Sequence, residues 1–181
     1  MLEHSPLSRL HEYCKKHFES NSLSSQLGEG TDGAVWLTQH RTAVKAFFSE
    51  RQFKAELGCF LRLEKHQVNS IFGYAIPRLI DADQTLLVIE MTTVEPPYLL
   101  DFGKAYLDLK PEYTSHQWSD LYNRVRQIYG DRYEEVMRVV TGLQQYGIYY
   151  YDITLNNVMP DNWNPSLDEE HDEILPDDYD K

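Results

Sequence analysis

The spacing of apolar residues changes period several times along this chain. Leu7, Leu10, Cys14 and Phe18 recur at helical spacing behind Ser5-Pro6, an N-cap with proline in the first turn. They predict a short amphipathic helix ending near Phe18. Residues 19–26 are serine-rich and read as a linker. Strand patterns follow, at Ala34 to Thr38 and Thr42 to Phe48. Ser49 and Gln52 have the spacing of a capping box. They open a helix whose apolar positions include Phe53, Leu57, Phe60 and Leu61. Ile76 to Asp81 and Thr85 to Met91 predict two further strands around a turn at residues 81–84, and Pro96-Pro97 then breaks the chain. Two helices are expected next, over about 115–129 and 132–146, with Gly130 and Gly147 near their C-terminal ends. Trp118, Tyr122, Val125 and Tyr129 follow helical spacing and read as core. From Asp168 onward the chain is mostly acidic.

Composition narrows the class. The 181 residues are 41% hydrophobic, enough for one cored domain or two small lobes around a cleft. The formal net charge is −12, which repels phosphate backbones and anionic membrane surfaces, so neither is an expected partner. Two cysteines, Cys14 and Cys59, suggest no disulfide framework and fit a reducing compartment. The N-terminus lacks a signal-peptide pattern. No apolar run approaches the ~18 residues of a membrane span. A soluble, cytoplasmic protein is the expectation.

Candidate chemistry lies in segments far apart. Leu27-Gly28-Glu29-Gly30-Thr31-Asp32-Gly33-Ala34-Val35 is glycine-rich. Glycines at 28, 30 and 33 let a backbone approach a polyanion closely and offer N–H donors. The competing reading is a hairpin turn that merely needs glycine. Lys45 sits in the otherwise apolar run Thr42 to Phe48, and strand alternation puts Ala43 and Lys45 on one face. A buried lysine there needs a partner. Glu56, three residues after Phe53 and four before Phe60, is the candidate; Glu50 and Glu64 are alternatives that sit less well on the inner face. Far downstream comes Tyr150-Tyr151-Asp152-Ile153-Thr154-Leu155-Asn156-Asn157.

A glycine-rich loop, a strand lysine and a distant Asp-x-x-x-x-Asn, in that order, resemble the protein-kinase-like superfamily from Leu27 to Met159. The resemblance implies an α+β, bilobal fold: a five-stranded antiparallel N-lobe sheet with one long helix, then a reduced, mainly helical C-lobe. It implies ATP between the lobes, with Leu27, Gly28, Gly30, Gly33, Val35 and Ala43 around it and Lys45 on its phosphates. Ile89 falls at the gatekeeper position, and the backbones of Glu90 and Thr92 would bond the adenine. Met159 would be the floor of the base pocket. Asp152 matches the aspartate that orients the acceptor hydroxyl, and Asn157 matches a Mg²⁺ ligand.

Four departures qualify the resemblance. Tyr150-Tyr151 replaces the usual His-Arg, so control by a phosphorylated activation loop is not expected. Thr154 stands where many members carry a lysine, so one cation near the transferred phosphate is missing. Asp101-Phe102-Gly103 spells the magnesium motif but precedes Asp152, whereas the family's motif follows the catalytic loop. It therefore reads as a linker after the hinge, and Asp178 in the acidic tail becomes the candidate second metal ligand. Lastly, the chain stops where an activation segment would begin, so standard peptide-docking helices are not expected.

The sequence thus predicts one minimal domain over residues 1–181: an N-terminal helix and linker (1–26), an N-lobe and hinge (27–92), a reduced C-lobe (93–160) and an acidic tail (161–181). The expected activity is ATP- and Mg²⁺-dependent phosphorylation of a hydroxyl, foremost a protein Ser or Thr, with a partner protein supplying the missing substrate platform. A pseudokinase binding module and a small-molecule kinase are the alternatives. Oligomeric state stays open.

Overall fold

The computed structural model describes residues 5–18 and 22–163. Helix α1 (Pro6–Phe18) begins where the Ser5 side chain accepts from the Ser8 N–H. Strands β1 (Leu23–Glu29), β2 (Gly33–Thr38) and β3 (Thr42–Phe47) form an antiparallel meander. The Ser49 hydroxyl caps helix α2 (Glu50–Lys65) by accepting from Gln52 N–H. A small hairpin, β4 (Ser70–Ile71) and β5 (Tyr74–Ala75), leads to β6 (Leu79–Asp83) and β7 (Val88–Thr92). These complete a five-stranded antiparallel sheet of order β1-β2-β3-β7-β6.

The central strands β3 and β7 are buried on both faces, and β3 alternates between them. Val44 and Ala46 pack with Leu10, Tyr13 and Cys14 of α1. Ala43 and Phe47 pack with Phe53 and Phe60 of α2 and with Ile89 of β7. Buried Arg9 fixes α1 by donating to the Phe47 and Leu86 carbonyls, each at 2.6 Å. Among the described residues no helix is long and apolar enough to cross a membrane.

The second half is built from short strands and helices: β8 (Tyr98–Leu99), β9 (Tyr106–Leu107), α3 (Ser115–Tyr129), α4 (Tyr133–Gly142), β10 (Ile148–Tyr149) and β11 (Val158–Met159). A capping box of Thr114 and Gln117 starts α3. Val125, Tyr129, Val136, Val139 and Val140 form the helical part of the core. The Tyr129 hydroxyl ties α3 to β11 by donating to the Val158 carbonyl at 2.8 Å. Pairing of the short strands decides the site. β9 pairs antiparallel with β10, and β8 pairs antiparallel with β11. The segment linking β8 to β9 therefore lies beside the segment linking β10 to β11.

The α+β class, the five-stranded antiparallel sheet and its long helix match the expectation. Local boundaries differ in three places. Residues 23–26, read as linker, are strand; β1 is a sheet edge exposed along most of its length, so its sequence carries little apolar alternation. The turn expected at 81–84 falls at 84–87, because Leu86 and Leu87 are apolar turn residues that pack inward, Leu87 with φ 50°. The last helix ends at Gly142 and continues as a 3₁₀ turn over Leu143–Tyr146, closed by Gly147 at φ 70°.

Candidate active site

Lys45 is where the two halves of the chain meet. Its Nζ donates to Glu56 Oε2 at 2.7 Å and to Asp101 Oδ1 at 2.9 Å. Register places Lys45 opposite Ile89 and Val35, and Ala43 opposite Met91, so these side chains share the α2 face of the sheet. Lys45 and Glu56 are 3% and 1% exposed. Burial works against the Lys45 ammonium, but the charges of Glu56 and Asp101 outweigh it and hold its pKa above the ordinary lysine range. Burial drives the Glu56 carboxyl up to about 8, with Asp101 adding to the rise and Lys45 opposing it. For Asp101 burial also pushes upward, but Lys45 and the Gly103 N–H prevail and keep it below the ordinary carboxylate value. The alternatives for Lys45 are engaged elsewhere or exposed: Glu50 pairs with Lys54 at 2.6 Å, and Glu64 faces solvent.

The raised Glu56 value sets a pH dependence. The folded state holds a proton that the unfolded chain releases near pH 4.5. Between about pH 4.5 and about 8 folding therefore retains a proton, and stability falls as pH rises through that window. Glu56→Gln is expected to flatten this part of the stability–pH curve in urea unfolding. Equal slopes for the wild type and Glu56→Gln across the window would refute the assignment.

Asp101 corrects the linker reading of Asp101-Phe102-Gly103. Asp101 takes a left-handed backbone (φ 60°), which short polar side chains tolerate, and its Oδ1 also accepts from Gly103 N–H at 3.0 Å. Phe102 is fully buried, with its ring edge-on to Phe60 of α2 at 5.5 Å and Tyr150 at 6.1 Å. The physical reason is the strand pairing. The motif follows β8, which lies against the strand leaving Asn157, and the Leu100 N–H donates to the Asn157 carbonyl at 2.6 Å. Chain order is inverted, yet the motif still sits beside the loop. Asp178 lies outside the described residues.

The loop from Asp152 to Asn157 closes on itself. The Asn157 amide donates to the Asp152 carbonyl at 3.0 Å and to Asp152 Oδ2 at 3.2 Å. The fully buried Tyr150 donates its hydroxyl to the same carbonyl at 2.6 Å. Lys104 Nζ lies 3.5 Å from Asp152 Oδ2.

The glycine loop divides into two parts. A Cβ at Gly28 or Gly30 would meet nothing within 4 Å, whereas one at Gly33 would strike the Ala46 carbonyl. Gly33 is therefore needed by the sheet, and Gly28 and Gly30 leave open space. Leu27 is the extra residue of a bulge between paired Gln26 and Gly28 and is half exposed. Asp32, which the sequence pattern did not single out, is buried; its Oδ1 accepts from Gln52 Nε2 at 2.6 Å, and its Oδ2 lies 2.7 Å from where a Cβ on Gly103 would be. The loop tip thus rests against the Asp-Phe-Gly turn. The hinge expectation changes at one atom: the Thr92 N–H donates to the Arg78 carbonyl at 3.0 Å, so it is not free for a base. The Glu90 side chain reaches Tyr13 and Thr42, on the α1 face. Met159 is half-buried on β11.

The fold is protein-kinase-like. This rests on the sheet order, the lysine–glutamate pair between β3 and α2, and the two loops beside them. No family model and no curated protein matches the sequence. Three solved structures are similar to it: a gentamicin complex of APH(2'')-IIa, a streptomycin–ATP ternary complex of APH(2'')-IIa, and ADP-bound aminoglycoside phosphotransferase APH(2'')-Ib. Identities are 17%, 17% and 19%, with TM-scores of 0.45, 0.39 and 0.39. The matches cover 80%, 72% and 72% of this chain and 41%, 38% and 38% of those chains. The chain thus spans about two fifths of their length.

Proposed function

We infer that this chain is an ATP- and Mg²⁺-dependent phosphotransferase acting on a hydroxyl group. The observation that carries this reading is the junction of Lys45, Glu56 and Asp101 beside Asp152 and Asn157. The donor set suits both ligands. Lys45 supplies a fixed cation for phosphates, and the open space over Gly28 and Gly30 admits them. The Asp101 carboxylate and the Asn157 amide oxygen are hard oxygen donors of the kind Mg²⁺ takes, and Mg²⁺ would neutralise charge on the phosphates.

The acceptor oxygen bonds the terminal phosphorus, the bond to the bridging oxygen breaks, ADP leaves, and the hydroxyl proton passes to Asp152. The acceptor is a hydroxyl of a protein Ser or Thr or of a small molecule, and the net charge of −12 favours a cationic one. A protein partner would complete the acceptor platform. Thr154 is the one observation that favours a pseudokinase.

ATP with Mg²⁺, at about 100 times its dissociation constant, is expected to stabilise the protein by about 2.7 kcal/mol. That corresponds to roughly 5–11 °C in Tm for a domain of this size. The control is Lys45→Met with Glu56→Gln, since removing Lys45 alone leaves the buried Glu56 carboxyl without its hydrogen-bond donor. A Mg²⁺-dependent shift lost in the double variant supports the reading. No shift at millimolar ATP overturns it.

A further inference from the structure

Thr154 leaves the acceptor side of the loop without its own cation, and the structure supplies one from elsewhere. Lys104 Nζ lies 3.5 Å from Asp152 Oδ2, with its side chain 49% exposed. Its backbone is fixed on both sides. The Ala105 N–H donates to the Phe102 carbonyl at 2.9 Å, so Gly103 and Lys104 form the middle of a turn whose two ends are buried. From that turn the half-exposed lysine side chain reaches the Asp152 carboxylate.

A half-exposed ion pair of this length does little for stability. Its position is what matters. Lys45, held by Glu56 and Asp101, is fixed at the sheet and Thr154 carries no charge, so neither supplies a mobile cation beside Asp152. Among the described residues, Lys104 is the cation that ion-pairs with Asp152. We propose that Lys104 binds the terminal, transferable phosphate of ATP, supplying from the Asp-Phe-Gly turn the cation absent at Thr154. The inverted chain order makes this possible, because it brings residue 104 beside Asp152. The inference rests on the phosphotransferase reading above.

The test separates the two. Binding of ADP and of a non-hydrolysable ATP analogue, both with Mg²⁺, is measured by calorimetry for wild type, Lys104→Ala, Lys104→Arg and Lys104→Ala with Thr154→Lys. Lys104→Ala is expected to weaken the analogue by about 10-fold, the scale of one charge-assisted hydrogen bond, with ADP unchanged. Arginine at 104 should retain most of the preference, and lysine at 154 should restore it. Wild type binding both ligands, with the same preference in Lys104→Ala, overturns the role of Lys104 alone. Wild type binding neither overturns the phosphotransferase reading, and this inference with it.

Discussion

Asp101→Asn is expected to lower phosphate transfer by about 10²–10³-fold and to raise the Mg²⁺ concentration needed for ATP-dependent stabilisation. The substitution keeps the side chain's size and an oxygen that can still accept from Gly103 N–H and Lys45. What it removes is the negative charge beside Asn157. A metal held by Asp101 and Asn157 loses its only anionic protein ligand in that set. Asp178→Asn is the contrasting variant, because the sequence order alone assigns the metal to the tail. If Asp178→Asn raises the Mg²⁺ requirement and Asp101→Asn does not, the inverted motif is a structural element only. Asp152→Asn serves as the comparator, with a loss of about 10²–10⁴-fold expected for removing the group that takes the acceptor proton. Residual transfer equal in wild type and Asp152→Asn would mean a scaffold that keeps the fold without the chemistry.

The parts of the site legible in the sequence are those set by local periodicity. Alternation along β3 sorted Ala43 and Lys45 from Val44 and Ala46, and helical spacing put Glu56 on the same face of α2 as Phe53 and Phe60. Those rules depend on neighbours close in the chain. Asp101 depends on neighbours more than fifty residues away. Its placement is fixed by β8 and β9, strands of two residues each, too short to show any period. Chain order was then the remaining guide, and it pointed to the tail. A signal was present nonetheless. Tyr98-Leu99-Leu100 is a short apolar run directly before an aspartate and a phenylalanine, which is unusual for a solvent-exposed linker. The hinge shows a related limit: periodicity located the strand through Met91, but not that the Thr92 N–H continues its pairing with the Arg78 carbonyl.

Phe102→Ala is expected to destabilise the protein by about 3–5 kcal/mol, the usual loss for a fully buried phenylalanine. The Tm should fall by roughly 6–20 °C. The effect should reach beyond stability, because the Phe102 ring contacts Phe60 on the helix that carries Glu56 and Tyr150 at the start of the Asp152 loop. Removing the ring takes away packing beneath the turn that presents Asp101 to Lys45. Nucleotide binding measured well below the lowered Tm is therefore expected to weaken as well. Phe102→Leu separates volume from ring geometry. It refills most of the space, so stability should largely return, short of the roughly 0.5–1.5 kcal/mol that an edge-to-face pair adds. If Phe102→Ala loses less than about 1 kcal/mol, as surface substitutions do, the segment is a linker and the inverted motif has no structural basis. If the loss is large but Mg²⁺-dependent ATP binding is unchanged, Phe102 is a core residue and Asp101 is held in place by its own hydrogen bonds to Lys45 and Gly103.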